Sequence, residues 1–549
     1  MSIGKLCPVV FGMIFSCFFG YAFSASSATR VLEAKAFGVV PDSPNNYQAL
    51  FSLLDAAKTE GQSVEIQFEP DTVYRMGLPD GKGMQSKYAV HIRNATNLVL
   101  NGQGATLLIT HPEIGAICTE DCQNIEIKNF KIDYDPLPYA QGRIHAVNLS
   151  ENWFELKVDD GFLEPDHPCF DRAMAKWGLA IRDAADGGRQ YGPGALFSEK
   201  WERTGDRIWR FHAKKSRYDA SLERAGLKFG ERYIHMARNY AQAVAAKKCD
   251  EILWENITIY ASPGLAFYPH QTSHHTIRNC HVKVKEGRVF STDADGIHMR
   301  GSRGHVLIDG CTFEGMADDG INVHSSAMSL QAQPSPSQVL VKKHTYSVRP
   351  GDRVVAVDSA SAGIIGTAVI QTVEDHGRNW LLSLDREFAP FNTEGAAGVN
   401  EHGDPIVAVN FYNLSESADP FVIRNCEFKD YRGRGILVSA HGGLIENNIF
   451  RVREGWGIVM NYETSRWAEG PIAHDVVIRN NRFFAKSASR QPAVQSQIHT
   501  LAGVQVDGNP VRNILIENNR FYGYQLPAIR MEYTEGLQLK NNEELPAAE

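Results

Sequence analysis

The chain has 549 residues, of which 43% are apolar, so it can bury a large core, and its length suggests several domains unless a repeat architecture fills it. Its 56 basic and 64 acidic residues give a formal net charge of -8. Because this balance provides no basic field for a phosphate backbone or an anionic lipid surface, we expect no nucleic-acid partner and favour neutral partners such as sugars.

An export signal is predicted at the N-terminus, over residues 1–24. Lys5 precedes the apolar run LCPVVFGMIFSCFFGYAF, and small residues follow from Ser24, which is the layout of a cleavable secretory signal. Pro8 and the glycines interrupt this run, which falls short of the roughly 20 residues that a membrane-spanning helix needs. We therefore expect a periplasmic or secreted protein without a membrane span. A membrane anchor and lipid attachment at Cys17 are the alternatives.

One sequence phrase recurs along the chain: a strand with alternating apolar residues, then an Asn-Asn, Asn-Cys or Gly-Cys pair, then an aromatic or apolar residue. Instances are NIEIKNFKI from Asn124, EILWENITI from Glu251, HVLIDGCTFEG from His305, FVIRNCEF from Phe421 and DVVIRNNRFF from Asp475. A β unit that recurs about every 20–30 residues, apart from two longer gaps, predicts a solenoid in which each unit is one coil. The predicted fold class is all-β, a right-handed parallel β-helix.

The spacing of these units predicts the order of the segments. They are a cap with the first coils at 25–135, an inserted small β module at 136–242, coils with acidic motifs at 243–332, a second inserted β module at 333–412, and C-terminal coils at 413–549. An amphipathic helix from about Asn46 to Thr59 is expected to cover the open edge of the first coil. Both inserted modules are expected beside the cleft.

A second strand in each unit aligns from coil to coil and carries polar residues. The aligned segments are DGIHMRG from Asp295, DGINVHS from Asp319, RGILVSA from Arg434, WGIVMNY from Trp456, AGVQVDG from Ala502 and PAIRMEY from Pro527. Equivalent residues of successive coils stack at about 4.8 Å. Asp295 is therefore expected under Asp319, with Asp318 adjoining, and Arg434 and Trp456 continue the column.

Three stacked carboxylates favour acid–base catalysis. Like charges that close resist joint ionisation, so at least one pKa is expected to rise, which gives an acid beside a base. Cleavage of a glycosidic bond needs such a pair. The alternatives are two Asp-Gly turns or a calcium site, because Asp-Gly favours turns and clustered carboxylates bind hard cations. We predict a glycoside hydrolase with Asp295, Asp318 and Asp319 as catalytic residues and with neither a metal nor a cofactor.

The side chains around these carboxylates are expected to bind the sugar. The predicted substrate-binding residues are Tyr268, His270, His298, Arg300, Asn322, His324, Arg434 and Trp456. Their polar groups can bond hydroxyls, and Trp456 offers a flat apolar face to a sugar ring. A structural role at the strand ends is the alternative for His298, Arg300 and His324.

The two acidic motifs resemble those of known enzymes. Polygalacturonases, which are inverting β-helix hydrolases, carry Asn-Thr-Asp-Gly and Gly-Asp-Asp motifs similar to STDADGIHM and MADDGINVH. The full arrangement is more similar to glycoside hydrolase family 110, the exo-acting α-1,3-galactosidases that remove terminal galactose from blood-group-B type and linear Gal-α1,3-Gal glycans. This resemblance covers nearly all of the mature chain, from AFGVVPDSPNNYQAL onward. It implies a galactose-terminated oligosaccharide or glycoconjugate as substrate, and inversion of configuration.

The resemblance also implies a role for each aspartate. Asp318 is the general acid, while Asp295 and Asp319 orient and activate water. Inversion normally needs about 6.5–9.5 Å between acid and base, so Asp295 and Asp319 are expected to share the base function facing Asp318. The next coil carries RGRGILV where polygalacturonases have Gly-His-Gly, and the chain has no Arg-Ile-Lys for a substrate carboxylate, which favours a neutral sugar. A polygalacturonase-like hydrolase, a lyase and a non-catalytic carbohydrate-binding β-helix are the alternatives.

The cysteines are expected to be largely unpaired. Nine become seven once Cys7 and Cys17 leave with the signal, so they cannot all pair. Matching positions in the repeat predict stacked interior thiols at Cys280, Cys311 and Cys426. A local bridge between Cys118 and Cys122 stays open.

Overall fold

Each repeated unit folds into one coil of three short strands, and successive coils stack into three parallel sheets around a continuous apolar core. The expected parallel β-helix is therefore confirmed. The computed structural model describes residues 29–547 apart from 59–61, 80–86, 193, 215–221, 344–347, 392–395, 400–404, 454, 464–466, 487–490 and 502. The predicted export signal lies outside the described residues.

We name the sheets A, B and C in the order in which one coil visits them. The strands of sheet A are Arg30–Glu33, Val64–Gln67, Thr96–Asn101, Gln123–Lys128, Asp250–Glu255, Ser273–Arg278, Arg303–Asp309, Phe421–Arg424, His441–Glu446, His474–Arg479, Val511–Glu517, Thr534–Glu535 and Gln538–Lys540. The strands of sheet B are Val73–Met76, Thr106–Ile109, Lys131–Tyr134, Thr258–Ile259, His281–Val282, Thr312–Glu314, Glu427–Lys429, Ile449–Val452, Arg482–Ala485, Arg520–Tyr522 and Glu543–Leu545. The strands of sheet C are Tyr88–Arg93, Gly115–Glu120, Val244–Lys247, Phe267–His270, Ile297–Arg300, Ile321–Ser326, Arg434–Ser439, Trp456–Glu463, Val494–His499 and Ile529–Arg530, with Glu469–Gly470 paired antiparallel to Ile321–Ser326.

Alternation between core and solvent fixes the register of the sheets. In strand Gln123–Lys128, Ile125 and Ile127 are buried and the other four residues are more exposed. Ile252 and Trp254 of the next coil pair with the same two residues. A shift of one position would turn the isoleucines toward solvent, so the hydrophobic pattern sets the stacking.

The asparagine pairs form the corner between sheets A and B. The first residue of the pair adopts a left-handed backbone, with φ of 57° at Asn447 and 56° at Asn480, which asparagine tolerates better than most residues. The second residue is turned inward and forms a ladder, in which each side-chain oxygen accepts a hydrogen bond from the backbone N–H of the coil before it, at 2.9–3.1 Å. The ladder comprises Asn448, Asn481, Asn519 and Asn542, with Cys426 donating to its first member.

Cysteine and phenylalanine stacks accompany this ladder. Cys280, Cys311 and Cys426 hold equivalent places in the register of sheet B, as the sequence predicted. The seven cysteines of the described chain are buried and free, so Cys118 and Cys122 form no bridge. Five phenylalanine rings stack with centroids 4.6–5.1 Å apart, namely Phe313, Phe428, Phe450, Phe483 and Phe521.

An antiparallel sheet, which we call the first module, enters between sheet B strand Lys131–Tyr134 and sheet C strand Val244–Lys247. Its strands are Tyr139–Asn148, Trp153–Val158, Ala175–Asp183, Arg189–Tyr191, Leu196–Gly205, Ile208–Ala213 and Arg232–Arg238, with short helices at Pro168–Arg172 and Leu222–Ala225. The module has its own buried cluster around Phe154 and Phe211. Because it interrupts the connection from sheet B to sheet C, its last strand ends beside the acidic turns.

A closed barrel, which we call the second module, enters after sheet C strand Ile321–Ser326. Its strands are Met328–Ser335, Gln338–Lys342, Arg353–Asp358, Ile364–His376, Asn379–Leu384 and Val409–Asn413, with a hairpin of Ala396–Val399 and Pro405–Val407 and a 3-10 turn at Leu414–Glu416. Arg303 of the β-helix ties the barrel down, since its guanidinium bonds Asp352 at 2.7 Å and Glu416 at 3.0 Å. These bonds anchor the barrel to the coils that carry the acidic motifs.

The N-terminal cap contains the 3-10 turn Ala34–Phe37 and the helix Tyr47–Ala57, close to the predicted helix. Leu50, Leu53 and Leu54 of this helix are buried against the first coil. Among the described residues, no helix is long and apolar enough to cross a membrane.

One predicted strand of the column is wrong. Residues 503–508 of AGVQVDG form no strand, and Val494–His499 takes this place in sheet C, where it pairs with Trp456–Glu463 and with Ile529–Arg530. The pattern misled because AGVQVDG alternates like a strand, while Val494–His499 contains more polar residues.

Candidate active site

Asp295 and Asp319 lie in equivalent turns between sheets B and C of consecutive coils. Sheet C pairs Ile297 with Ile321, which stacks the two Asp-Gly turns. The glycines are needed for close approach, because a Cβ atom at Gly296 would lie 2.5 Å from the Phe313 ring and 2.6 Å from the next turn's backbone oxygen. The glycines therefore let the turns stack, and the aspartates beside them carry the charge.

Asp295, Asp318 and Asp319 converge as expected. One carboxylate oxygen of each lies within 4.8 Å of the others, close enough for strong electrostatic coupling or for one cation. The side chains of Asp295 and Asp319 are 7% and 5% exposed, whereas that of Asp318 is 27% exposed. Asp318 is therefore the carboxylate that an incoming molecule reaches most easily.

Three arginines surround the carboxylate cluster. Arg238 Nη1 lies 3.4 Å from Asp318 Oδ2, and Arg434 contacts Asp319 Oδ1 through its backbone N–H at 2.7 Å and its Nη1 at 3.4 Å. Arg432 donates to the backbone oxygen of the residue before Asp318. These cations offset much of the negative charge that the buried carboxylates would otherwise carry.

The electrostatics divide the three carboxylates into two kinds. Burial raises the pKa of Asp319 to about 8, against the opposing charge of Arg434. Burial and the charge of Asp318 raise the pKa of Asp295 well above its usual range. Burial alone would raise the pKa of Asp318 as well, but the three arginines hold it below its usual value. Carboxylates that interact this strongly titrate together, so the cluster as a unit holds protons at neutral pH.

Two of the predicted histidines, His298 and His324, connect the carboxylate cluster to Glu469. His298 Nδ1 lies 2.6 Å from Asp295 Oδ2, and its Nε2 lies 2.9 Å from His324 Nε2. Asn322, which pairs with His298 in register, donates to Glu469 Oε2 at 3.3 Å. Burial lowers the pKa of His298, and it lowers that of His324 to about 4. The structure thus brings these three predicted residues next to the acidic turns.

Tyr268, His270 and Arg300 lie on sheet C close to His298. The rings of Tyr268 and His298 are 5.9 Å apart, and those of Tyr268 and His270 are 5.2 Å apart. His270 pairs in register with Arg300, whose Nε donates to Ser326. Burial and the charge of Arg300 lower the pKa of His270 to about 3.

Trp456 lies beyond Arg434 in the column of sheet C. It pairs with Arg434 in sheet C, which places it two strands from Asp319. Its backbone oxygen accepts a hydrogen bond from Tyr431.

The first module supplies residues that the repeat pattern could not indicate. Arg238 ends its last strand and reaches Asp318. The Trp177 ring lies 5.8 Å from the Arg238 guanidinium carbon and 5.1 Å from that of Arg432, so it packs beside both cations. Arg432 was visible in the motif RGRGILV, but Arg238 and Trp177 lie in a sheet whose strands do not repeat.

Glu469 is the other residue that the sequence analysis missed. It lies outside the repeat, in a segment after strand Trp456–Glu463 that folds back and pairs Glu469 with Ser326. Its carboxylate lies 3.7 Å from His324 Nε2. Burial would raise the pKa of Glu469, but His324 and His298 hold it below its usual value.

Comparisons with known proteins agree with this architecture. A family model described as "Right handed beta helix region" matches residues 409–543. Relatives include an alpha-1,3-galactosidase B of Akkermansia muciniphila, 23% identical over 93% of this chain and 66% of that protein. Another, the alpha-1,3-galactosidase B of Bacteroides thetaiotaomicron, is 24% identical over 94% of this chain and 86% of that protein. Among solved structures, a Family 28 exopolygalacturonase of Yersinia enterocolitica covers 94% of this chain and 79% of that one at 11% identity, with a TM-score of 0.40.

The resemblance to α-1,3-galactosidases inferred from the motifs is confirmed by these relatives, which align over most of the chain. The chain spans about two thirds of the Akkermansia muciniphila protein's length. This homology identifies a glycoside hydrolase, in agreement with the carboxylate cluster.

Proposed function

We propose that this chain is an exo-acting α-galactosidase that hydrolyses terminal α-1,3-linked galactose from blood-group-B type and linear Gal-α1,3-Gal glycans with inversion of configuration. The observation that carries the proposal is the convergence of Asp295, Asp318 and Asp319 within 4.8 Å, in a chain whose relatives are named α-1,3-galactosidases.

Asp318 is assigned the role of general acid. Its side chain is the most exposed of the three, so the glycosidic oxygen can reach it. Its proton comes from the pool that the coupled carboxylates share, and Arg238 stabilises the carboxylate that remains after transfer. Protonation of the glycosidic oxygen lets the bond to the sugar's anomeric carbon break.

Asp295 and Asp319 are assigned the base function. The separation of at most 4.8 Å is shorter than the about 6.5–9.5 Å common in inverting glycosidases. We assign the attacking water to the stacked pair, and it loses its proton to the ionised member of that pair as it attacks the anomeric carbon. Arg434, whose Nη1 lies 3.4 Å from Asp319 Oδ1, opposes the rise of the Asp319 pKa and so favours the anion at that member of the pair.

The remaining polar groups are assigned to the sugar. Tyr268 and Asn322 lie on either side of His298 on one face of sheet C in adjacent coils, where their polar groups can bond hydroxyl groups of a galactose ring. Arg434 and Arg432 are directed at the aspartates, which leaves them committed to the catalytic groups. A neutral terminal sugar fits this arrangement.

Export is also part of the proposal. The layout of residues 1–24 supports a cleaved signal, which would deliver the enzyme to the periplasm or the medium, where glycan substrates are met. Mass spectrometry of the protein from a bacterial host should show an N-terminus after about Ser24. A mature chain that keeps residues 1–24 would contradict export by cleavage.

Galactose release from α1,3-, α1,4- and α1,6-linked galactobiose, with polygalacturonate as a further substrate, tests the activity. We expect release from the α1,3-linked sugar and its loss in Asp295→Asn. The matched control is Asp206→Asn, because the Asp206 side chain is 92% exposed in the first module and should not affect turnover. Depolymerisation of polygalacturonate, or no release by a folded wild-type chain, would refute the proposal.

A further inference from the structure

Three side chains next to the carboxylates form a compact set of metal-ligand groups. His298, His324 and Glu469 each place one ligand atom within 4.8 Å of the other two. They lie on three neighbouring strands: Ile297–Arg300 pairs with Ile321–Ser326, which pairs with Glu469–Gly470. The backbone therefore fixes all three positions.

The hydrogen bonds of the two rings direct both Nε2 atoms at the same point. His298 Nδ1 lies 2.6 Å from Asp295 Oδ2, and His324 Nδ1 lies 2.9 Å from the backbone oxygen of Ser325. If each Nδ1 donates to its oxygen, each Nε2 of a neutral ring presents a lone pair. In that state the two lone pairs converge at 2.9 Å, and a bound cation would stabilise them, whereas in the other tautomer one Nε2–H donates to the other ring.

The spacing suits a metal ion. Ligands about 2.0–2.1 Å from a tetrahedral zinc ion lie about 3.4 Å from one another. The two Nε2 atoms are 2.9 Å apart, and His324 Nε2 is 3.7 Å from Glu469 Oε1, so small side-chain movements give the required distances.

Each ligand also has the supporting partner that metal sites use. Metal-binding histidines commonly donate their second ring N–H to a carboxylate or a backbone oxygen, which orients the ring. Asp295 and the Ser325 carbonyl fill these places for the two histidines. Asn322 donates to Glu469 Oε2 at 3.3 Å, which leaves Oε1 facing His324.

We propose that His298, His324 and Glu469 bind one divalent transition-metal ion of the zinc class, with a fourth position open to a substrate hydroxyl. Two imidazoles and one carboxylate are the ligand set of several catalytic zinc sites, whereas calcium and magnesium prefer oxygen ligands. His298 and Glu469 are partly exposed, so the ion is reachable from the site. This inference does not depend on which glycoside the enzyme cleaves.

Metal binding to the full chain tests the inference directly. After removal of metal with a chelator, we expect the protein to take up about one equivalent of Zn²⁺ by elemental analysis, and to give the visible bands of a low-symmetry site with Co²⁺. His324→Ala and the conservative Glu469→Gln should each weaken Zn²⁺ binding by more than about 100-fold, since loss of even a supporting partner costs about 10–100-fold.

The matched control is His376→Ala, because His376 is an exposed histidine of the barrel and its loss should leave binding unchanged. Circular dichroism of each variant establishes that it folds. A wild-type chain with no saturable Zn²⁺ or Co²⁺ binding would overturn the site and leave a shared proton between the rings. Zn²⁺ binding that survives both variants would overturn the ligand assignment. Neither result depends on turnover, so the proposed hydrolysis is judged separately.

Discussion

Among single side chains, Asp318 allows the sharpest test of the proposed mechanism, because it is assigned the role of general acid. Asp318→Asn removes the proton donor, so hydrolysis of a disaccharide should slow by about 10²–10⁴-fold. An aryl α-galactoside has a leaving group that needs little protonation, and its hydrolysis should fall by less than about tenfold. Steady-state kinetics on both substrates separate these outcomes.

Asp319→Asn is the matched variant, because it removes a base instead. It should slow both substrates, whatever their leaving group. Equal losses for the two substrates in Asp318→Asn would contradict its role as acid.

The pH profile follows from the raised pKa of Asp319. Burial raises this pKa to about 8, so the cluster keeps a proton below that pH and loses it above. Since the acid step needs that proton, kcat/KM should fall by about tenfold per pH unit above about pH 8. Circular dichroism over the same range would establish that the fold persists. A flat profile to pH 10 would show that the shared proton plays no part.

The repeat in the sequence was sufficient to predict the site residues that stack in one column of the β-helix. Asp295 and Asp319 are one coil apart, so the repeat alone predicted their contact. Arg238 and Glu469 come from segments that follow no repeat, and only the folded chain shows that they reach the same point. Insertions and folded-back segments are therefore where the sequence of a solenoid says least about its site.

At the level of structural elements, the asparagine ladder holds the corners of the coils. Asn481 is fully buried, and its side chain accepts from the Asn448 backbone and donates to the Ile445 oxygen. Asn481→Ala leaves these groups unpaired, each at about 1–3 kcal/mol, so the free energy of unfolding should fall by about 2–4 kcal/mol. Chemical denaturation measures this change.

Gln538→Ala is the control for the ladder, because Gln538 is exposed in the last coils and its loss should change stability by less than about 0.5 kcal/mol. Activity of Asn481→Ala at low temperature should match that of the wild type, since the ladder lies between sheets A and B. Equal stability of the two variants would show that the ladder contributes little.

The error at AGVQVDG shows how a strand pattern fails inside a repeat. That segment alternates in the expected way, yet Val494–His499 takes the place in sheet C. Which segment forms the strand depends on the chain connection to the next strand, Ile529–Arg530. Alternation of apolar residues alone does not contain that information.

For the whole molecule, the repeated coils made the β-helix predictable from the sequence, whereas the inserted first module adds a site residue that the repeat did not predict. The strand phrase and its asparagine corners predicted the β-helix, because each coil buries its apolar face only against neighbouring coils. The two modules interrupt two connections of the solenoid, one between sheets B and C before the acidic coils and one after the sheet C strand Ile321–Ser326. The β-helix thus supplies the carboxylate column, and the first module supplies a cation for it.

Proton NMR of Gal-α1,3-Gal incubated with the purified full chain shows whether the carboxylate cluster cleaves α1,3-linked galactose and with which stereochemistry. We expect β-galactose to appear first, before mutarotation, and Asp318→Asn to abolish its appearance while circular dichroism shows an intact fold. Initial release of α-galactose would contradict the inverting assignment, and no release by the folded wild-type protein would contradict the activity itself.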